Sequence, residues 1–149
     1  MASKTKLQTA FINTAKEFAK LSYAKRLQVG GVLVNDGRII CCSYNGTPKG
    51  GDNICEVEID GELVTKTEVI HCEENLIVWS ARYGVKTEGC SMYLTHSPCM
   101  SCSKLIIQSG IKEVYYDREY RLTDSLDFLR KYHIKVERIY DGSIKTNTK

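Results

Sequence analysis

Two short clusters, His71-Cys72-Glu73 and Pro98-Cys99-Met100-Ser101-Cys102, restrict this chain more than any other feature. Read as H-x-E and P-C-x-x-C, they supply an imidazole, two thiols and a carboxylate. Zinc prefers a tetrahedron of nitrogen and sulfur donors, and a catalytic zinc site leaves one corner open for water. His71, Cys99 and Cys102 fill three corners, and Glu73 is left beside the fourth as a proton carrier. The fold must therefore bring two separate segments into contact. A lone C-x-x-C also marks redox pairs and structural zinc sites. A structural site wants a fourth protein ligand and has no use for Glu73. A redox pair leaves His71 and Glu73 without a task.

With 149 residues the chain reads as one domain, 1–149, long enough to bury a core. A net charge of +3, with no basic run, argues against a duplex-binding stripe and leaves anionic small molecules compatible. Met1–Lys6 is polar and lacks the apolar core of a signal peptide. No stretch approaches the ~18 apolar residues of a membrane span. The seven cysteines are an odd number and include the adjacent pair Cys41-Cys42. With no export signal they read as reduced thiols of a cytoplasmic protein. The polar tail Ser143–Lys149 is expected to fray.

Apolar spacing from Leu7 to Leu21 predicts a helix over Lys6–Arg26. Strands follow at Val29–Val34 and Arg38–Tyr44, joined through Asn35-Asp36-Gly37, a hairpin signal. Asn45–Gly51 opens a long loop, and within it Cys55–Thr65, which alternates partly around Asp60-Gly61, reads as a small excursion or hairpin. His71–Tyr83 is a helix stopped by Gly84, with Leu76, Ile77 and Trp79 toward a core. Then come a strand at Cys90–Thr95 and a helix at Cys99–Ser109, with Pro98 at its start. A strand at Glu113–Tyr116, a helix at Thr123–Tyr132 capped by Thr123, and a strand at Ile134–Ile139 complete the chain. The order predicts an α/β fold of three layers, α/β/α, with a central mixed sheet of about five strands flanked by helices. Both half-motifs then sit at helix N-termini, whose dipoles favour thiolate at Cys99 and Cys102.

From Leu21 to Ile139 the chain resembles the deoxycytidylate deaminases of the cytidine deaminase superfamily, in their bacterial and phage type. Arg26-Leu27-Gln28-Val29-Gly30 resembles the family's R-x-x-V-G strand opening. Tyr44-Asn45-Gly46-Thr47-Pro48-Lys49-Gly50 resembles its Y-N-G-x-P-x-G loop, the piece that nucleoside deaminases and the tRNA-editing branch normally lack. His71–Ile77 and Tyr93–Cys102 resemble H-A-E-x-N-A-I and Y-v-T-x-x-P-C-x-x-C. Tyr115-Tyr116 and Glu119-Tyr120-Arg121 resemble the nucleotide-proximal segment. Cys72 stands where Ala is usual, which places a third thiol near the metal, and Ser43 stands where Gly is usual.

The resemblance implies zinc-dependent hydrolytic conversion of dCMP to dUMP and ammonia, feeding thymidylate synthesis. His71, Cys99 and Cys102 are the expected zinc ligands, and Glu73 is the proton carrier for attack at C4 of cytosine. Asn45 is the candidate for the deoxyribose hydroxyl, against a role in shaping the turn before Gly46. Arg26 is the candidate for the phosphate, against a solvated charge. Tyr115, Tyr116 and Tyr120 are candidates for base or phosphate contacts, against plain packing. His71 and the backbone at Cys72 are expected beside the pyrimidine. A second, structural zinc is conceivable from Cys55, His96 and Cys41 or Cys42, against a buried thiol and a satisfied histidine. His133 reads as a surface residue. The resemblance also implies a homohexamer, switched on by dCTP and off by dTTP, with Mg2+ accompanying the triphosphate. The alternatives are a deaminase of free cytidine, deoxycytidine or another nucleobase, and a zinc-stabilised nucleic-acid-binding module.

Overall fold

The short apolar runs pair into one mixed sheet with helices on both faces, as expected. A computed structural model describes residues 2–120 and 122–139. Its helices are α1 (Lys4–Ala19), α2 (Cys72–Tyr83), α3 (Met100–Gln108) and α4 (Asp124–Lys131). Its strands are β1 (Gly30–Asn35), β2 (Arg38–Tyr44), β3 (Glu56–Ile59), β4 (Glu62–Thr65), β5 (Ser91–His96), β6 (Glu113–Arg118) and β7 (Lys135–Arg138). The large sheet runs β2-β1-β5-β6-β7, and β3-β4 form a separate two-stranded hairpin. β1 is antiparallel to β2 and β5, whereas β5, β6 and β7 are parallel.

Alternation along the central strands divides the core. Val32, Val34, Tyr93 and Tyr115 face α1 and meet Phe11, Ile12 and Ala15. Leu33, Met92, Leu94, Val114 and Tyr116 face the other way, toward Leu76 of α2, Ile106 of α3 and Leu126 and Leu129 of α4. Strands buried on both faces read as continuous apolar runs, which is how Gly31–Val34 looks in the sequence. The turns behave as their residues require. Asp36 and Gly37, and again Asp60 and Gly61, take positive φ of 50° and 69°, and 50° and 79°. Those are the left-handed conformations of two-residue hairpin turns.

Four local expectations are corrected. α1 stops at Ala19 rather than Arg26, because Leu21 is exposed and Ser22 leaves the helix to donate to the Asn45 carbonyl at 2.8 Å. Pro98 lies outside the helix, since Cys99 is the N-cap of α3. Thr123 occupies the N-cap of α4, yet its side chain makes no capping bond. Trp79 is only half-buried, stacked on Tyr83 at 4.9 Å with Lys49 over its other neighbourhood at 5.9 Å from the ring centre. His133 is exposed as expected, just past α4, with a φ of 64°.

Gly30 decides how α1 meets the sheet. A Cβ there would lie 2.1 Å from the Ala15 carbonyl oxygen and 2.4 Å from the Ala19 amide nitrogen. Both obstacles are backbone, so nothing can rotate away. Gly30→Ala is expected to destabilise the protein by about 3 kcal/mol or more, the range of forced overpacking. Urea unfolding measures this, and a wild-type midpoint would refute the close approach.

Candidate active site

The N-terminus of α2 and the N-terminus of α3 converge where β5 and β6 end. His71 is the N-cap of α2 and Cys99 the N-cap of α3, both extended in backbone. Glu74 accepts from the His71 amide at 3.3 Å, and the Cys99 sulfur accepts from the Cys102 amide at 3.5 Å. These caps place His71 Nδ1 3.5 Å from Cys99 Sγ and 3.3 Å from Cys102 Sγ. Ordinary Zn–N and Zn–S lengths in a tetrahedron require N···S separations of about 3.5 Å. The donor set, its spacing and its soft thiolates therefore fit zinc. Among the described residues this trio is the one group of His, Cys, Asp and Glu donors that closes on a common point.

The protons on these donors are already contested. A hydrogen bond with Cys102 holds the Cys99 thiol down at about 4 against the opposing effect of burial, with His71 and the Cys102 amide helping. The same bond, together with burial, pushes Cys102 up. The hydrogen bond to Cys99 raises His71 to about 9. A metal binding here must displace protons from His71 and Cys102, so its affinity falls with acidity.

Glu73 follows His71 by two residues and is 5% exposed. Burial raises its carboxyl to about 7, partly offset by a backbone N–H and by His71. The carboxyl lies beside the three donors. His71, Glu73 and Cys99 open on a cavity of about 440 Å³, also lined by Cys72, Arg26, Asn45 and Tyr120.

A family model described as the cytidine and deoxycytidylate deaminase zinc-binding region matches residues 5–118. The chain belongs to the cytidine and deoxycytidylate deaminase family. It is 39% identical over 114 residues to ComE operon protein 2 of Bacillus subtilis, covering 74% of this chain and 59% of that protein's length. The deoxycytidylate deaminase of Enterobacteria phage T4 is 32% identical, with 80% of this chain and 79% of the phage enzyme covered. The dCMP deaminase of cyanophage S-TIM5, solved in complex with dCMP and dUMP, superposes with a TM-score of 0.86 at 40% identity, covering 93% of this chain and all (100%) of that one.

Other members of the expected site fall differently in this chain. Tyr115 is buried on the α1 side of the sheet, stacked on Tyr93 with its hydroxyl donated to Glu113. Tyr116 is buried on the opposite side among core residues. Neither lines the cavity, because strand alternation commits both rings to the two halves of the core. Tyr120, just past β6, does line it, and its amide donates to Ser97 Oγ at 2.6 Å. Arg121 lies outside the described residues, as does the tail Ser143–Lys149. The Cys72 thiol turns away from the metal ligands to Ser43, whose hydroxyl lies 3.2 Å from it and donates to the Cys72 carbonyl at 2.7 Å. Two positions that depart from the family pattern thus meet, and Cys72 stands outside the group of donors that closes on a common point.

The second metal cluster does not assemble among the described residues. His96 lines the same cavity with Nδ1 2.9 Å from Thr95 Oγ1, and Cys55 is buried at the base of the β3–β4 hairpin. Asn45 spends its amide on backbone, accepting from Val29 N and donating to the Leu27 carbonyl, each at 2.9 Å. One amide hydrogen and one lone pair remain for a ligand. Glu56, Thr65 and Arg118 also line the cavity and were not singled out in the sequence. The register after Asp60-Gly61 pairs Glu56 with Thr65, a signal that the turn itself contains.

Replacing Cys99 by Ala removes the N-cap and one donor together. Metal analysis should show zinc falling from about one equivalent per chain to near none, since three protein ligands are the minimum of such sites. Full zinc occupancy in Cys99→Ala would exclude the assigned ligand set.

Proposed function

We propose that this protein hydrolyses dCMP to dUMP and ammonia. The observation that carries this reading is one cavity on which two of the three zinc-type donors, His71 and Cys99, open together with a buried carboxylate and two exposed arginines, Arg26 and Arg118, while Cys102 lies buried 3.3 Å from His71 Nδ1. The T4 and S-TIM5 relatives that bear the deoxycytidylate deaminase name support it. Zinc held by His71, Cys99 and Cys102 supplies Lewis-acid activation of water.

Glu73 takes the proton released as water oxygen bonds to C4 of cytosine. It passes that proton to N3, then takes the second water proton from the new C4 hydroxyl and delivers it to the exocyclic amino group, so that the C4–N bond breaks, ammonia leaves and the C4 carbonyl of uracil forms. A carboxyl that titrates at about 7 is suited to both transfers. Arg26 holds the phosphate, Asn45 contributes its remaining amide capacity to the sugar, Tyr120 flanks the nucleotide, and His71 with the Cys72 backbone flanks the base. Glu73→Gln keeps size and hydrogen-bonding reach while removing basicity. It should retain zinc and bind dCMP, yet lose turnover by ~10²–10⁴-fold, the usual worth of positioned acid–base catalysis. Ammonia-release kinetics at near wild-type rate would assign the proton transfers elsewhere.

The regulation implied by the family belongs to the same reading. dCTP activates and dTTP inhibits, with Mg2+ on the triphosphate, in a homohexamer of one-domain chains working in the cytoplasm on free nucleotides. A cavity of about 390 Å³ under Asn45–Gly51, with Lys49 and Trp79 at its wall, supports a separate nucleotide seat. No described helix is long and apolar enough to cross a membrane.

The phosphate is remote from C4, so gripping it orients the base and should improve turnover as well as affinity. We expect kcat/KM for dCMP to exceed that for deoxycytidine by a large factor, and Arg26→Ala to shrink the ratio. Equal values in the wild type would replace the nucleotide reading by the nucleoside one.

A further inference from the structure

We infer that the β3–β4 hairpin is a specificity element that presents Arg26 to the substrate phosphate, through the single cross-strand pair Glu56 and Thr65. The inference rests on the proposed role of Arg26. Glu56 and Thr65 stand opposite each other in the ladder, so their side chains leave the same face of the hairpin. Both line the catalytic cavity. Glu56 is buried, 7% exposed, and its Oε1 accepts from the amides of Lys25 at 2.7 Å and Arg26 at 3.1 Å. Thr65 Oγ1 accepts from Arg26 Nη1 at 3.1 Å. One pair of facing residues thus holds both the backbone and the guanidinium of Arg26.

The local backbone explains why such a grip is needed. Lys25 and Arg26 belong to no helix or strand, so their amides have no ladder to enter. A carboxylate accepting two N–H groups fixes the segment with charge-assisted bonds. The hairpin in turn gains an anchor. It is not part of the five-stranded sheet, and Val57, Ile59 and Leu63 remain exposed. A two-stranded hairpin by itself is marginal in water. Its base is closed by Lys66 N donating to Cys55 O at 2.8 Å, and the flanking segments are joined by the Gly46–Ile70 bridge. An arginine held before the ligand arrives loses less freedom on binding phosphate, so the pair raises affinity for a phosphorylated substrate without touching the reacting atoms.

Kinetics of zinc-loaded wild type, Arg26→Ala, Thr65→Val, Thr65→Ser and Glu56→Ala with dCMP and deoxycytidine test this, with zinc content and thermal midpoint measured alongside. Thr65→Val keeps shape and removes the acceptor. It should lower the dCMP-to-deoxycytidine ratio of kcat/KM by about tenfold, the scale of one hydrogen bond to a charged group, mainly through KM for dCMP. Thr65→Ser should restore the ratio, which a merely structural role of the side chain would not predict. Glu56→Ala should lower the ratio in the same direction. If Arg26→Ala collapses the ratio while Thr65→Val and a folded Glu56→Ala preserve it, the hairpin inference is wrong and the phosphate role of Arg26 stands. If Arg26→Ala itself preserves the ratio, the phosphate role fails and the hairpin inference with it.

Discussion

Everything at the active end of this protein depends on two helix N-termini meeting closely enough for one imidazole nitrogen and two sulfurs to stand within 4.8 Å of one another. Such a meeting concentrates sulfur and helix-terminal amide groups in one place. Helix ends supply the N–H groups that make this tolerable, as the Cys102 amide does for Cys99. The loop before α3 is braced from both sides. Ser97 N donates to the Arg118 carbonyl at 2.8 Å, and Ser125 of α4 donates to the Pro98 carbonyl at 2.7 Å. Without these ties the P-C-x-x-C segment would be a loop with two thiols and no fixed geometry.

Two buried carboxylates in one cavity serve opposite ends. Glu73 is stripped of water and given few partners, so burial dominates and its carboxyl rises to about 7. Glu56 is nearly as buried but receives two backbone amides. The first arrangement leaves the carboxyl exposed to the effect of burial, and the second turns the carboxylate into an anchor for two backbone amides. Residue type and burial do not separate the two roles; the hydrogen-bond partners do.

The half-motifs were legible because metal chemistry demands particular donors at short spacing, and the strands and turns because apolar alternation and Asp-Gly pairs leave local traces. What failed were inferences from local likeness to tertiary position. Tyr115 and Tyr116 share a segment that resembles a nucleotide-proximal one, but their ring directions are set by strand alternation, which buries both away from the cavity. Trp79 has helical spacing suited to a core, yet it stacks at the surface with Tyr83 because α2 turns that face away from the sheet. α1 ends early because Ser22 leaves the helix to bond the Asn45 carbonyl, a contact that periodicity does not encode.

The sequence by itself determined the cluster of zinc-type donors, the carboxylate beside it, the α/β order of elements and the hairpin turns, since each follows from chemistry confined to a few neighbouring residues. Tertiary structure decided which side chains share the cavity, that the Cys72 thiol faces Ser43 rather than the metal site, and that Arg26 is gripped by residues 30 and 39 positions away. Those outcomes depend on strand register and on the angle at which helices meet the sheet. Register and angle come from the packing of the whole chain, so no short stretch of residues carries them.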